Sequence, residues 1–139
     1  MIGDEDSPEG DWVLTEKVSY WFGKPRRWQI VLYRHAHGFD VAKRVVGLPG
    51  ETIGIENERV TIDGELVPVP EELQFLKYYG YAVLREGKTY PCKRGYFLLG
   101  DFSHDSLDSR FYGELAPSRI RGRAWLIVWP PSRLRWLAL

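Results

Sequence analysis

Short runs of β-branched and aromatic residues, separated by Gly, Pro, Asn or Asp, dominate the pattern of apolar and polar positions along this chain. Such short runs, bounded by turn-forming residues, are typical of β-strands. The predicted strands cover residues 12–18, 28–34, 41–47, 52–56, 59–62, 96–99 and 123–129. Their spacing predicts a mainly β fold in which antiparallel sheets fold over one another or form a partly open barrel.

Two connections carry signals of their own. Residues 56–59 (ENER) predict a hairpin turn, because Asn57 adopts the left-handed backbone conformation readily. One short helical excursion is predicted over residues 70–79, where Pro70 suits a first helical turn and two glutamates follow it.

The chain of 139 residues fits a single domain. Residues 1–10 lack apolar periodicity and are expected to form a flexible N-terminal segment. Residues 11–139 are expected to form the β domain. The stretch at about 65–94 departs from the strand rhythm and is expected to be a small insertion on that domain.

Composition excludes several classes of function. The formal net charge is zero at pH 7, so no overall field attracts nucleic acid, and no nucleic-acid partner is expected. The single cysteine, Cys92, cannot form an intrachain disulfide or a zinc site, and neither a metal nor a cofactor is expected. No apolar run approaches the roughly 20 residues that a membrane-spanning helix needs, so the chain itself is expected to be soluble or peripheral.

Two segments in which a strand runs into a polar turn carry the candidate chemistry: residues 43–51 (KRVVGLPGE) and 100–110 (GDFSHDSLDSR). A lysine acts as a general base at neutral pH only when burial or nearby positive charge keeps its amine neutral. Lys43 shares a strand face with Val41 and Val45, and that face is apolar. By its residue type alone, Lys43 fits better as an exposed strand lysine whose side-chain stem covers the sheet. The hydroxyls and carboxylates of the second turn favour a Ser/Lys site instead.

The second turn also has the composition of a calcium loop. Asp101, Ser103 and Asp105 match the first three ligand positions of a helix–loop–helix calcium site. Such a loop needs Gly at its sixth position and Glu at its twelfth, where this chain has Ser106 and Tyr112. No calcium site is therefore predicted.

The order of the motifs resembles that of the type I signal peptidases, membrane-bound Ser/Lys proteases that remove signal peptides. In that family a Lys-Arg-Val box precedes Gly-Leu-Pro-Gly, and an Asp-Gly hairpin follows. Then come Gly-Asp-Asn-Ser-x-x-Ser-x-Asp-Ser-Arg and a strand ending in Trp-Pro. The matching segments here are residues 43–51, 61–64 (TIDG), 100–110 and 120–130 (IRGRAWLIVWP), with 10–14 and 19–23 similar to the family's first strand. The resemblance extends over residues 10–133, and several ordered matches are far more specific than one.

The resemblance implies a role for the residues around the lysine. Lys43 would be the general base, and Ser106 would hydrogen-bond to its amine and orient it. Val41 and Ala42 would form part of a shallow pocket for small residues. The partners would be extended, signal-peptide-like segments of exported proteins, which add a strand along the edge beside Lys43. The parent family works at the outer face of the cell membrane.

The resemblance also implies two supporting ion pairs. Arg44 would pair with Asp101, and Asp108 with Arg110, and the two pairs would hold the turns against each other.

The expected nucleophile is missing. The family places it in Ser-Met-x-Pro-Thr, about nine residues before the aspartate that corresponds to Asp11, and that position is Ile2 here. Ser7 is a weak candidate because it lies about five residues later, or more than ~15 Å of extended chain. Two further positions differ: Phe102 stands where the family has Asn, and Trp28 stands where it has the Gly of Arg-Gly-Asp.

Aromatic residues are frequent, and both faces of strand 123–129 are apolar. One face must be core, whereas the other is either a second core layer or a lipid-facing surface, where Trp is favoured. The residues concerned are Trp21, Phe22, Trp28, Trp125, Trp129 and Trp136.

We therefore interpret the chain as a signal peptidase I-like domain. The parent reaction is cleavage after a small-x-small site, and the chain is expected to be inactive because the nucleophile is absent. Two explanations of that absence stay open: the sequence begins after the nucleophile, or the protein is a non-catalytic module that binds peptides or assists the assembly of exported proteins. A self-cleaving repressor-type Ser/Lys domain is a further alternative, against which the second turn argues.

Overall fold

The computed structural model describes residues 12–16, 23–79, 88–101, 106–129, 132 and 135–136. The strands are β1 (Trp12–Glu16), β2 (Ile30–Arg34), β3 (Asp40–Gly47), β4 (Thr52–Glu56), β5 (Arg59–Ile62), β6 (Glu65–Leu66), β7 (Tyr90–Pro91), β8 (Phe97–Leu99), β9 (Ile120–Trp129) and β10 (Arg135–Trp136). They form two antiparallel sheets, and the predicted mainly β fold is confirmed. Each predicted strand corresponds to one of these, whereas the two-residue strands β6, β7 and β10 were not predicted.

The larger sheet has the strand order β1-β9-β2-β3-β8, and β10 also pairs with β9. Directly paired residues of neighbouring strands share a face of the sheet. Lys43 of β3 is paired with Val31 of β2, and Val31 is paired with Arg123 of β9. Val31 and Val45 are fully buried. We call the face that carries Val31, Lys43 and Val45 the lysine face.

The second sheet has the order β6-β5-β4-β7 and is built on two tight turns. Asn57 and Glu58 connect β4 to β5 with φ angles of 48° and 64°. Asp63 and Gly64 connect β5 to β6 with φ angles of 51° and 87°. Positive φ at both central residues is what the hairpin turn best matched to strand twist requires. The predicted hairpin and the left-handed conformation of Asn57 are confirmed.

The main core lies between the second sheet and the face of the larger sheet opposite the lysine face. Its buried residues are Trp28, Val46, Ile53, Val60, Leu73, Leu76, Tyr78, Cys92, Phe97 and Leu99. Side chains alternate along a strand, so Arg44 and Val46 point towards this core whereas Lys43 points away from it.

The predicted helix over residues 70–79 is wrong. Glu71–Leu73 forms one 3-10 turn, and the rest of the segment is not helical. The core takes Leu73, Leu76 and Tyr78 from this segment. Their spacing of three and then two residues does not place them on one side of an α-helix, so burial overrides the local preference.

Trp28 is a core residue, so it cannot belong to a lipid-facing set. It is 5% exposed, and its φ is 72°, a rare backbone conformation for a bulky residue. Its N–H donates to the Val45 carbonyl at 2.7 Å, and its carbonyl accepts from Arg44 at 2.6 Å. Trp thus occupies the left-handed position in place of the family's Gly. Trp21 and Phe22 lie outside the described residues, and for the tryptophans of β9 and β10 only the backbone is described.

Within the described ranges no helix is long and apolar enough to cross a membrane. Residues 1–10, expected to be flexible, lie outside those ranges.

Candidate active site

The Lys43 amine lies beside the Ser106 hydroxyl, although the two residues are 63 positions apart. Lys43 Nζ donates a hydrogen bond of 2.8 Å to Ser106 Oγ. Lys43 belongs to β3, and Ser106 follows β8, which pairs with the second half of β3. The expected proximity of the two turns is therefore present.

The surroundings of Lys43 favour a neutral amine. The side chain is half-buried on an apolar face. Burial has the largest effect and lowers the pKa of Lys43, Arg110 lowers it further, and Asp108 and Asp101 oppose the change. The pKa lies below the ordinary value of 10.5. A general base at neutral pH requires this direction of shift.

The first ion pair joins β3 to the turn after β8. Arg44 donates from Nε to Asp101 Oδ1 at 2.8 Å and from Nη2 to Asp101 Oδ2 at 2.7 Å. This fork geometry fixes both distance and orientation. Arg44 is 4% exposed, and its remaining nitrogen donates to the Trp28 carbonyl at 2.6 Å. The pair therefore ties the lysine strand to the second turn.

The second ion pair is fully buried at the start of a short helix, α1 (Ser109–Tyr112). Asp108 caps the helix and accepts from Arg110 Nε at 2.8 Å and Nη2 at 2.7 Å. It also accepts from the Gly100 amide at 3.0 Å. Arg110 Nη1 donates to the Tyr79 carbonyl at 2.6 Å. The turn that carries Ser106 is thus fixed immediately after the serine.

Helix α1 was not predicted from the sequence. The sequence does contain a signal for this helix: Asp108 is a favourable cap residue, and Ser109 and Arg110 after it are compatible with a helix.

Gly100 leaves the space that the Lys43–Ser106 contact occupies. A Cβ atom at Gly100 would lie within van der Waals overlap of Ser106, 2.6 Å from its Cβ, and 3.1 Å from Lys43 Nζ. Sequence reasoning did not single out this glycine, because the crowding comes from a residue across the turn.

We expect Gly100→Ala to lower the free energy of unfolding by about 1–3 kcal/mol, the usual effect of an overpacked buried site. Urea denaturation measures it. Ser106→Gly removes both overlapping atoms, so the double variant should recover part of the loss relative to Gly100→Ala. Gly100→Ala as stable as the unmodified chain would contradict this account.

β3 has an open edge beside Lys43. From Arg44 onwards β3 pairs with β8, whereas among the described residues 40–43 pair only with β2. Val41 and Ala42, the expected substrate-binding residues, are half-buried on this stretch. Unpaired backbone groups at such an edge can accept an extended peptide as a further strand.

A third ion pair holds the Gly-Leu-Pro-Gly turn. Arg27 donates to both carboxylate oxygens of Glu51, at 3.0 and 2.5 Å, and to the Val46 carbonyl at 2.6 Å. Glu51 also accepts from the Leu48 amide at 2.7 Å. The sequence analysis did not predict this pair, because its partners are 24 positions apart and only the glutamate at the end of the turn hints at it.

Two tyrosines meet over the lysine face, and no sequence signal indicated them. The Tyr33 and Tyr112 hydroxyls lie 2.5 Å apart, and the residues are 79 positions apart. The Tyr112 hydroxyl also lies 3.5 Å from the Leu107 carbonyl. Burial, the largest effect, raises the pKa of both hydroxyls. The pair links α1 to β2, where Tyr33 is paired with Val41.

Ile2, Ser7 and Phe102, the positions at which the sequence departs from the expected pattern, lie outside the described residues. Within the part that is described, no group of three or more His, Cys, Asp and Glu side chains is placed to hold a metal ion.

Comparison with known proteins identifies the family. The family model described as signal peptidase, peptidase S26, matches residues 4–129. A signal peptidase I of Leptolyngbya laminosa is 33% identical over 134 residues, covering 89% of this chain and 63% of the relative. A signal peptidase I of Bacillus caldolyticus is 32% identical over 129 residues, covering 87% of this chain and 71% of the relative. The chain thus spans under two thirds of the length of the first of these relatives.

A solved structure has the same architecture. It is that of a signal peptidase I from Enterococcus faecalis, with 28% sequence identity and a TM-score of 0.56, and the match covers 73% of this chain and 97% of that one. The family model spans nearly all of the sequence and includes both turns of the Lys43–Ser106 site. The chain belongs to the signal peptidase family.

Proposed function

We propose that this chain carries the general-base half of a signal peptidase I-type Ser/Lys site and binds extended segments of exported proteins beside it. In this proposal Lys43 is the base, and Ser106 orients its amine. Arg44 with Asp101, and Asp108 with Arg110, keep the two turns in place. The observation that carries the proposal is the 2.8 Å hydrogen bond between a half-buried lysine amine and a serine hydroxyl.

Chemistry supports these roles. In a Ser/Lys protease the neutral amine removes the proton of the nucleophilic hydroxyl, which attacks the scissile carbonyl, and then returns it to the leaving amine. Ser106 accepts a hydrogen bond from Lys43, so it limits the positions of the amine. It also lies two residues before Asp108, whose hydrogen bond from the Gly100 amide holds the turn in place.

The open edge of β3 is the proposed peptide site. A peptide paired with residues 40–43 would place its backbone beside Lys43, and Val41 and Ala42 would limit the size of its side chains. The family is membrane-associated, and we place this chain at the outer face of the cell membrane, where exported segments emerge.

We further propose that the chain does not cleave peptides at the rate of its relatives. Ile2 stands where the family's spacing puts the nucleophile. A lysine base with no nucleophilic hydroxyl beside it has no proton to remove, so the attack on the peptide cannot begin. A module that binds exported segments without cutting them is the second candidate function, and the same observation favours it.

A peptide with an Ala-x-Ala site tests the proposal. We expect fluorescence anisotropy to detect binding, whereas mass spectrometry finds no product above the buffer control. Lysine or glutamate in place of either alanine should weaken binding, because the pocket that we propose at Val41 and Ala42 would be shallow and apolar. Product formation that both Ser7→Ala and Lys43→Ala abolish would show that Ser7 is the nucleophile. Equal affinity for all these peptides would overturn the proposed binding mode.

A further inference from the structure

The segment that carries Ser106 is tied to the larger sheet on both sides of that serine in the sequence. Before it, Asp101 is bound to Arg44 of β3. After it, Asp108 accepts from the amide of Gly100, the residue that follows β8. In the strand order β2-β3-β8, both ties lie at the lysine strand or at the strand beyond it, and neither reaches β2.

A third tie reaches β2, on the other side of β3. The hydroxyl of Tyr112, the last residue of α1, lies 2.5 Å from the hydroxyl of Tyr33 in β2. Tyr33 is paired with Val41. Val41 lies on the lysine face two residues, or about 7 Å, along β3 from Lys43. The contact between the tyrosines is therefore close to the proposed base.

Tyr33 is a fixed anchor for this tie. It is 1% exposed, in the core cluster that also contains Val31 and Val45. The Arg119 guanidinium lies 5.9 Å from the centroid of its ring. Tyr112 is 40% exposed and belongs to the outer part of the segment. The hydrogen bond thus holds a surface residue of the segment against a side chain that the core keeps in place.

Stability alone does not account for two hydroxyls at this position. A buried hydroxyl must be hydrogen-bonded, and the net contribution of such a bond to folding is small. Replacing both partners by apolar groups of the same shape can be nearly neutral, so two phenylalanines would fill the same space. The hydroxyls add direction, because a hydrogen bond restricts both the distance and the angle between its partners.

We infer that the Tyr33–Tyr112 hydrogen bond is a positioning contact for the base: by tying the end of α1 to β2, it keeps Ser106 against the Lys43 amine. This inference rests on the proposed function, in which Ser106 orients that amine. Without the bond, the turn that carries Ser106 would move more freely over the lysine face, and water would reach the amine. The two tyrosines act through Ser106 and are positioning residues.

NMR titration of the Lys43 amine tests the inference without a peptide. In a chain labelled with carbon-13 at lysine Cε, the signal that Lys43→Ala removes is that of Lys43. Burial, the largest effect, lowers the pKa of Lys43, Asp108 raises it, Arg110 lowers it and Asp101 raises it. These three charged residues are unchanged in the tyrosine variants, so a change in the pKa reports on the burial of the amine.

Tyr33→Phe and Tyr112→Phe should each raise the pKa of Lys43 towards its ordinary value of 10.5, because a looser turn admits water to the amine. Each single change should also lower the free energy of unfolding, since it leaves one hydroxyl without its partner. The double variant should recover stability, because neither hydroxyl remains, whereas the pKa of Lys43 should stay raised. If the pair had only a structural role, stability and pKa would recover together.

Tyr96→Phe is the matched control. Tyr96 is 3% exposed and belongs to the same core cluster as Tyr33, but it is not part of the tyrosine pair. The change removes a hydroxyl from that core, and the pKa of Lys43 should equal that of the unmodified chain. An unchanged pKa in both tyrosine variants, an equal rise in Tyr96→Phe, or full recovery of the pKa in the double variant would overturn the inference.

Amide hydrogen exchange gives a second measurement that does not depend on Lys43. The Phe111 amide donates to the Asp108 carbonyl at 2.9 Å, and the Gly113 amide donates to the Ser109 carbonyl at 2.9 Å. Both amides should exchange faster in the double variant, because α1 has lost its tie to β2. The paired amides of β4 and β5 should exchange as in the unmodified chain. Unchanged exchange in α1 would contradict the proposed tie.

Failure of this inference and failure of the proposed function give different results. A chain that binds no Ala-x-Ala peptide, but in which both tyrosine variants raise the pKa of Lys43, would reject the proposed function and retain the positioning contact. Normal peptide binding, with the pKa of Lys43 unchanged in both variants, would reject the positioning contact alone.

Discussion

A chain that carries Ile2→Ser, Gly3→Met, Glu5→Pro and Asp6→Thr should cleave an Ala-x-Ala peptide, whereas the unmodified chain should not. The four changes place the family's Ser-Met-x-Pro-Thr motif at the spacing that its position before Asp11 requires. A hydroxyl at that spacing would give the Lys43 amine a proton to accept. Mass spectrometry of the products, with the cleaved bond identified, measures the gain.

The matched controls of this graft separate base catalysis from binding. Adding Lys43→Ala to the grafted chain should lower the rate by about 10²–10⁴-fold, the usual contribution of a general base. Changing Ile2 to Ala instead of Ser, with the other three substitutions kept, should give no product. A grafted chain that binds the peptide but leaves it intact, or whose activity survives Lys43→Ala, would reject Lys43 as the base.

Asp108→Ala should lower the free energy of unfolding by about 3–5 kcal/mol, because it removes the carboxylate that neutralises the Arg110 guanidinium in the interior. Both side chains of this pair are 0% exposed. The change also removes the acceptor of the Gly100 amide. Stability of a domain this size is typically ~5–15 kcal/mol, so the loss is large. Urea denaturation followed by circular dichroism measures it.

An exposed ion pair provides the comparison. Arg34→Ala removes one partner of the Arg34–Asp40 pair, whose side chains are 51% and 34% exposed, and should cost at most about 1 kcal/mol. The difference between the two variants isolates the effect of burial. Equal losses would show that the Asp108–Arg110 pair does not stabilise the turn as its burial implies.

Most of the β structure could be predicted from the sequence. The strands are short β-branched and aromatic runs bounded by turn-forming residues, and Asn57 marks its turn through its own backbone preference. The candidate site was also recognisable, since its residues lie in two short, ordered boxes that resemble those of the family. The contacts Lys43–Ser106, Arg44–Asp101 and Asp108–Arg110 are all present.

The helix over residues 70–79 shows where local preference fails. Pro70 and two glutamates favour a helix start by fractions of a kcal/mol, whereas burial of Leu73, Leu76 and Tyr78 contributes several times more. Their irregular spacing is a property of the surface on which they pack. The sequence of the segment itself carries no information about that surface.

The sequence by itself determined most of the strands, the turn at Asn57 and which residues to expect at the candidate site, because each of these depends on neighbours a few positions away. Only the tertiary structure decided which residues distant in sequence come into contact. It crowds Gly100 against Ser106, brings Tyr33 to Tyr112 across 79 positions and places Arg34 and Arg121 beside Asp40. It also buries Trp28 in a left-handed conformation that its residue type disfavours, because the hydrogen bonds to Arg44 and Val45 and the surrounding core outweigh the local strain.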